Sequence, residues 1–348
     1  MTFMSEPAVM SEVLVEVRRG GYVESVHRGS VAVADPRGRL IAWVGDPDYY
    51  TFMRSAAKPI QALAVVETGA YEAFGFDERE LAVMCASHNG EPFHVEAVLG
   101  ILRKIGLDES YLKCGVHPLY HAPSAEALVR EGRTPSAVHC NCSGKHAGML
   151  AVARHMGWEL DGYWRPEHPV QKLCLRNLAE VADYPEEKIG VATDGCGVCV
   201  FALPLRKMAQ AFARLADPED PGSGLDTRRA KAAALVVRAM RTHPEMVDGT
   251  DGFYTVLMQS LPVVAKSGAE GVGCFGVPGR GLGGAVKVDD GNSRATRPAV
   301  LRTLEALGVF SPERADDPLR SFRRPANINN RGEVVGFIEP VFSLHERT

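Results

Sequence analysis

The chain has 348 residues, of which 45% are hydrophobic and 24% are charged, and its formal net charge is −4 at pH 7. This composition is typical of a globular protein, and the charge gives no electrostatic reason to expect nucleic acid or an anionic membrane as a partner. No apolar run approaches the roughly 18–20 residues of a membrane span, and the start of the chain lacks the pattern of a signal peptide. We therefore expect a cytoplasmic enzyme that acts on a small molecule.

The predicted elements divide the chain into β-rich ends and a helical middle. Runs typical of strands cover 13–20, 23–35 and 39–46, with turn chemistry in "DPRG" at 35–38. Helical periodicity then predicts helices over 55–68, 77–86, 92–105, 124–131, 144–156, 168–182, 204–216, 225–241 and 251–260, with one strand at 188–194. Further strands follow at 263–268, 271–277, 283–290 and 332–342, with a helix at 297–309.

This order predicts an α+β fold in which N- and C-terminal strands form one antiparallel sheet and the helical region is inserted between them. We expect a single domain over residues 1–348. Its sheet part covers about 12–50 and 262–348, and its helical part covers about 51–261.

The first stretch that could carry chemistry is "RSAAKP". If a helix starts near Ser55, then Ser55 and Lys58 stand on one face, and Pro59 fits the first turn, where no intrahelical N–H bond is lost. The positive end of the helix disfavours an ammonium and helps Lys58 to act as a base towards the serine hydroxyl. A solvated helix start explains the same pair without any function.

Two further short motifs follow in chain order. "SHN" at 87–89 offers a hydroxyl and an amide in a turn, although Asn-Gly is also a common turn signal, and "KSG" opens with Lys266. The succession S-x-x-K, S-x-N and K-[ST]-G is the signature of serine β-lactamases and penicillin-binding proteins. It predicts acyl transfer in which Ser55 attacks a carbonyl group and lysines handle its proton.

The cysteines raise the question of a metal site. All eight are too dilute for a disulfide scaffold, but Cys140/Cys142 and Cys196/Cys199 form two close pairs. The possibilities are a closed four-cysteine site, fewer thiolates with another donor and water, or buried unliganded thiols. Asp194, at a strand end beside the second pair, is a candidate for a charged substrate contact.

Taken together, "SAAKP", "SHNGEPFH", "NCSGKHAGML", "TDGCG" and "KSGAEG" resemble the rhizobial-type (class 3) L-asparaginases of the asparaginase II family. The resemblance runs from about Val13 to "GFIEPVF" near the end of the chain. It implies a serine β-lactamase-like fold and hydrolysis of L-asparagine to L-aspartate and ammonia. It also implies two Ser–Lys tandems, Ser55 with Lys58 and Ser87 with Lys266.

The same resemblance implies an auxiliary zinc site. Its ligands fall on Cys142, Lys145 and Cys196, with water completing the coordination and Asp194 beside the site. Lysine must bind a metal as the neutral amine, so occupancy is expected to depend on pH. Members of the family are usually homodimers, and we expect a homodimer here.

Cys140 and Cys199 depart from the family pattern and leave open a different ligand set. We expect His88, Asn89 and Asp194 to contact the substrate, with Asp194 on its α-ammonium group. Because a Ser–Lys nucleophile already exists, we expect the zinc to shape the substrate pocket rather than to activate the attacking group.

Two other functions fit parts of the sequence. A β-lactamase or another penicillin-interacting serine hydrolase has the three short motifs, but those enzymes act outside the cytoplasm. A non-catalytic amino-acid binding module could keep the pocket, but binding needs no strong base beside a hydroxyl.

Overall fold

A computed structural model describes residues 11–311 and 317–346. The strands are β1 (Glu12–Arg19), β2 (Tyr22–Ala34), β3 (Leu40–Val44), β4 (Tyr50–Phe52), β5 (Gly190–Thr193), β6 (Cys199–Pro204), β7 (Val264–Gly268), β8 (Val272–Val277), β9 (Leu282–Val288), β10 (Ala326–Ile328), β11 (Val334–Pro340) and β12 (His345–Glu346). The helices are α1 (Lys58–Glu67), α2 (Ala70–Ala73), α3 (Glu78–Met84), α4 (Pro92–Lys104), α5 (Ala122–Arg130), α6 (Ser143–His155), α7 (Pro169–Ala182), α8 (Leu205–Ala216), α9 (Thr227–Thr242), α10 (Pro244–Asp248), α11 (Phe253–Ser260), α12 (Ser293–Ala306) and α13 (Arg320–Arg323).

The main sheet combines strands from both ends of the chain. Its order is β10-β11-β1-β2-β9-β8-β7, with β3 paired to β2 and β12 paired to β3. Its strand pairs are antiparallel, and β2 and β3 form the hairpin that the turn at 35–38 predicts. The α+β fold, with a sheet built from N- and C-terminal strands and helices inserted between them, is therefore confirmed.

Helices cover both faces of this sheet. A Cβ atom on Gly283 of β9 would lie 2.1 Å from the carbonyl oxygen of Ala209, so α8 packs on this face at a distance that only glycine allows. A Cβ atom on Gly273 of β8 would instead meet Val300 and Thr296 of α12 at 2.9 and 3.1 Å. The edge strand β7 then places its central residue between the sheet and the helical part.

The sequence did not predict the second, small sheet, in which β6 lies between β4 and β5. Strand β6 is an unbroken buried run, and such a run has no alternation by which periodicity can distinguish it from the helix that follows. Pairing of β5 with β6 closes the turn at 194–198, which carries Cys196, and Cys199 of the same predicted pair begins β6.

The predicted helices of eight or more residues are confirmed within a few residues of their ends, whereas the short α2, α10 and α13 were missed. One correction bears on the site. The helix predicted from residue 55 begins at Lys58, and Arg54–Ala57 form a 3-10 turn before it. Within the described ranges, no helix is both long and apolar enough to cross a bilayer.

Candidate active site

Two lysine side chains converge on the hydroxyl of Ser87. Lys58 is the first residue of α1, Lys266 is the central residue of β7, and Ser87 lies in the loop after α3. The Ser87 Oγ atom is 3.1 Å from Lys58 Nζ and 2.9 Å from Lys266 Nζ. A loop, a helix start and a strand that are far apart in the chain thus meet at one oxygen atom.

Among the described residues, every hydrogen-bond acceptor of these two amines is an oxygen atom. Lys58 Nζ also donates to the carbonyl oxygens of Ala86 at 2.6 Å and Asn141 at 3.4 Å, and Lys266 Nζ also donates to Ser267 Oγ at 3.0 Å. Both lysines are buried, with 1% and 0% exposure, and neither forms an ion pair within the part of the chain that the structure describes. Burial, reinforced by the charge of Lys58, lowers the pKa of Lys266 to about 7. A base with such a pKa suits proton transfer near neutral pH.

Ser55 precedes Lys58 by three residues, but its hydroxyl is not hydrogen-bonded to the two lysine amines or to Ser87. Lys58, which the motif pairs with Ser55, directs its amine to Ser87, and its backbone N–H donates to the carbonyl oxygen of Ser55. Ser55 is half-buried, and among the described residues neither its hydroxyl nor its backbone N–H has a hydrogen-bond partner. Both groups of Ser55 are therefore free to contact a ligand.

The residue before Ser55 has a strained backbone. Arg54 has φ of 52°, in the left-handed region that non-glycine residues rarely adopt. Its guanidinium group holds Asp194 through Nε and Nη2, each 3.0 Å from Oδ1. Such strain is concentrated at functional sites, where surrounding contacts hold it. Arg54 was not predicted from the sequence, because a single arginine gives no signal of its backbone conformation.

His88, and in part Asn89, form hydrogen bonds within the protein. His88 is fully buried, accepts from the backbone N–H of Gly90 at 3.1 Å and lies 2.8 Å from Ser143 Oγ. Burial holds its pKa well below the usual range, so the ring is neutral. Asn89 donates through Nδ2 to the carbonyl oxygen of Asp248 at 2.9 Å, which leaves its amide oxygen for a ligand. His88 thus holds the loop that follows α3 through hydrogen bonds to Gly90 and Ser143.

A second cluster brings together the predicted metal ligands. One ligand atom each of Cys142, Asp194 and Cys196 lies within 4.8 Å of the others. Lys145 Nζ is 3.1 Å from Cys196 Sγ and 3.9 Å from Asp194 Oδ2. This cluster, Cys142, Lys145, Asp194 and Cys196, is called the thiol cluster below.

Two elements build the thiol cluster. Cys142 caps α6 and Lys145 lies in its first turn, where a Cβ atom on Gly144 would be 2.1 Å from the carbonyl oxygen of Val83. Helix α6 therefore crosses α3 in direct backbone contact. Asp194 and Cys196 come from the turn between β5 and β6, which the bond from Asp194 N to Val198 O closes.

The donor atoms of the thiol cluster suit a metal ion once Lys145 and Cys196 have lost their protons. Contacts with the thiols of Cys140 and Cys196, aided by nearby lysines, hold the pKa of Cys142 well below its usual range, which favours the thiolate. The contact with Cys142, together with burial, raises the pKa of Cys196 and favours the thiol there. Burial opposes a charge on Lys145, but Cys142, Cys196 and Asp194 outweigh it and raise the pKa of that amine. Thiolate, amine and carboxylate donors are ligands that Zn²⁺ accepts.

The two unexpected cysteines lie outside this group of close ligands. Cys140 is buried, and its thiol donates to the carbonyl oxygen of Cys114 at 3.5 Å. Cys199 is buried at the start of β6. A closed site made of Cys140, Cys142, Cys196 and Cys199 is therefore not formed, and no disulfide is present among the described residues.

Comparisons with known proteins assign the chain to a family. The sequence model of the L-asparaginase II family matches residues 15–340. No curated protein matches the chain. Among solved structures, a Bacillus glutaminase is 15% identical (TM-score 0.38; 81% of this chain and 91% of that chain), and a β-lactamase from Mycobacterium bovis is 17% identical (TM-score 0.40; 81% and 95%). A protein named Mglu is 18% identical (TM-score 0.38; 81% and 67%), and in other structures of Mglu the chain spans about 60% of its length.

Proposed function

The chain belongs to the L-asparaginase II family and is an amidohydrolase, and from this premise we propose that it hydrolyses the side-chain amide of L-asparagine through a Ser–Lys acyl-enzyme. The observation that carries the proposal is the hydroxyl of Ser87 between two buried lysine amines. The hydroxyl of Ser55, three residues before Lys58, has no hydrogen-bond partner among the described residues. A binding module needs no such pair of buried bases.

In this mechanism Ser55 attacks the amide carbon, because its hydroxyl has no internal hydrogen-bond partner among the described residues. Ser55 also comes directly after Arg54, whose backbone is strained. Lys58, three residues later, accepts the proton of that hydroxyl. The unpartnered backbone N–H of Ser55 donates to the oxyanion, as suits a site where negative charge develops. The carbon–nitrogen bond then breaks, and the β-aspartyl ester of Ser55 remains.

Ser87 connects the two amines in a hydrogen-bonded relay from Lys58 to Lys266. A proton taken up by Lys58 passes through the Ser87 hydroxyl to the leaving nitrogen, which departs as ammonia. In the second half, the relay takes a proton from the attacking water and returns one to Ser55, so the enzyme ends in its initial state. Lys266, whose pKa is about 7, is at least half neutral at pH 7 and above and can therefore accept a proton.

The donor set of the thiol cluster fits the zinc ion that the family implies. Cys142, Lys145 and Cys196 would hold the ion, and Asp194 lies close enough to be a further donor or to hold Lys145 in place. When bound, Zn²⁺ would supply fixed positive charge beside the substrate pocket. The pairing of Arg54 with Asp194 connects this cluster to the backbone that presents Ser55.

Ammonia release from L-asparagine by the purified protein tests the proposed function, with Ser55→Ala as the inactive control. We expect ammonia and L-aspartate in equal amounts, and much slower release from L-glutamine. Hydrolysis of nitrocefin without any turnover of L-asparagine would instead identify a penicillin-interacting hydrolase, and binding of L-asparagine without turnover would identify a binding module. The predicted homodimer and cytoplasmic location remain proposals.

A further inference from the structure

A cavity of about 200 Å³ opens beside Ser267 on β7. Its polar lining comes from four places: Asp248 at the end of α10, Tyr254 on α11, Ser267 on β7, and Ser293, Thr296 and Arg297 in the first turns of α12. Phe253 and Val272 supply apolar walls. The cavity thus offers one carboxylate, one guanidinium group and hydroxyl groups.

This cavity is within a few ångströms of the reacting groups. Lys266 Nζ donates to Ser87 Oγ at 2.9 Å and to Ser267 Oγ at 3.0 Å, so the two hydroxyls cannot be further apart than the sum of these distances. The segment before Asp248 is bonded to the same loop, since Ser87 N donates to Val247 O at 3.0 Å. Asn89 Nδ2 donates to the carbonyl oxygen of Asp248 at 2.9 Å.

The two charged groups of the cavity have no ion-pair partners within the described ranges. Asp248 accepts only the backbone N–H of Tyr254, at 2.9 Å through Oδ2, and burial raises the pKa of its carboxyl group. Arg297 has its guanidinium carbon 5.9 Å from the centre of the Phe322 ring and contacts no carboxylate. Asp248 is half-buried and Arg297 is exposed at the rim of the cavity. Because neither group is held in a direct ion pair, both can bind a ligand that carries the opposite charges.

We propose that this cavity binds the zwitterionic head group of the amino-acid substrate, with Asp248 on the α-ammonium group and Arg297 on the α-carboxylate. In L-asparagine only two carbon–carbon bonds separate the α-carbon from the amide carbon, which matches a head-group site that adjoins the Ser87 loop. Arginine matches the planar geometry of a carboxylate. The inference rests on the proposed function and selects free β-amides of α-amino acids over peptides.

Asp194, which the sequence analysis assigned to the α-ammonium group, is less suited to that role. Its Oδ1 atom is already bound by Arg54, and its Oδ2 atom faces Cys196 and Lys145. Its carboxylate therefore has direct internal partners, whereas Asp248 has no ion pair within hydrogen-bond distance among the described residues and is influenced by the charges of Lys266 and Arg297 only through space.

Two truncated substrates test each half of the head group separately. Succinamic acid lacks the α-ammonium group of L-asparagine, and 3-aminopropanamide lacks the α-carboxylate. For Arg297→Met we expect kcat/KM to fall about tenfold or more with L-asparagine and succinamic acid, and far less with 3-aminopropanamide. In Asp248→Asn the amide oxygen can still accept from Tyr254 N. For this variant we expect kcat/KM to fall with L-asparagine and 3-aminopropanamide, and to fall far less with succinamic acid.

Arg294→Met is the matched control, since Arg294 is an exposed arginine on the same helix that donates to His27 Nε2 outside the cavity. Equal losses with all three substrates, or unchanged KM values for L-asparagine in both variants of the cavity, would overturn the inference while leaving the asparaginase activity in place. Failure of the wild-type protein to hydrolyse L-asparagine would instead overturn the proposed function. In that case calorimetric titration with L-aspartate still tests the head-group site, because binding that Arg297→Met does not weaken contradicts it.

Discussion

Two lysines of this protein are almost equally buried but have opposite electrostatic surroundings. Lys266 is surrounded by hydroxyl and carbonyl oxygens and has another lysine nearby, and its pKa is lowered to about 7. Lys145 lies against two thiol groups and a carboxylate, and its pKa is raised above the usual value although burial opposes this. Burial alone therefore does not determine whether a lysine is a base or a cation.

The difference separates two tasks within one site. The amine of Lys266, beside serine hydroxyls, can be neutral and accept a proton. The amine of Lys145, beside Cys142, Cys196 and Asp194, has a raised pKa and is not a base near neutral pH. Groups of the first region should thus control the chemical step, and groups of the thiol cluster should control substrate affinity. Substitutions in each region test this assignment, because they should change kcat in the first region and KM in the thiol cluster.

The largest effect is expected at Ser55. Ser55→Ala removes the attacking hydroxyl and should lower kcat for L-asparagine by about four orders of magnitude, with the melting temperature unchanged. Ser87→Ala should cost about 10²–10³-fold, because it interrupts a proton relay but leaves the nucleophile. The measurement is ammonia release in steady state, together with intact-protein mass spectrometry after rapid acid quench.

The quenched wild-type protein should carry a β-aspartyl ester on the peptide that contains Ser55. Ser25→Ala, at a half-buried position of β2, serves as the control. An ester on the peptide that contains Ser87, with only a modest loss in Ser55→Ala, would exchange the roles of the two serines.

The next effect concerns Lys266 itself. Because a general base must be unprotonated, kcat/KM should rise with pH below about 7 and level off above it, as the pKa of Lys266 requires. Lys266→Met should lower kcat by about 10²–10³-fold and remove this rising limb. Lys266→Arg, which keeps the positive charge at all accessible pH values, should be equally inactive.

An unchanged pH profile in Lys266→Met would show that another group controls the rising limb. Activity retained in Lys266→Arg would show that a cation, and not a neutral base, is needed there. Either outcome would remove the contrast between Lys266 and Lys145.

Much of this arrangement was readable in the sequence. Alternating strands at both ends and helices between them predicted the sheet of terminal strands, because long periodic segments report burial directly. The three short motifs and the two cysteine loops also marked residues that the fold brings together. Lys58, Ser87 and Lys266 meet at one hydroxyl, and Cys142, Lys145 and Cys196 meet in the thiol cluster.

The remaining features depend on contacts between distant segments. The pairing of Lys58 with Ser87 rather than Ser55 arises from a 3-10 turn at Arg54–Ala57, which no residue pattern announces. Asp248 and Arg297 are single charged residues in ordinary helices, and only the packing of α10 and α12 around β7 brings them to one cavity. Residue types predicted the chemistry, and tertiary packing determined the partners.

A smaller effect is expected from the thiol cluster. Cys196→Ala should abolish stoichiometric zinc in the purified protein, measured by elemental analysis, and should raise KM for L-asparagine about tenfold with kcat within a few-fold of wild type. Cys199→Ala removes a buried thiol only three residues away and is the matched control, with zinc content and KM retained. A fall in kcat at constant KM would assign the metal to the chemical step instead.

The smallest expected effect is on stability. The pKa of Lys266 is about 7 in the folded protein and near the usual 10.4 in the unfolded chain, so between these values the unfolded state binds more protons and stability rises with pH. This single group should add about 1 kcal/mol to the free energy of unfolding between pH 7 and pH 8. Urea titrations of the wild type and Lys266→Met at both pH values measure it, and the exposed Lys231→Met is the control. Equal pH dependence in wild type and Lys266→Met would mean that Lys266 stays protonated when folded, as Lys145 does, and the two buried lysines would no longer differ.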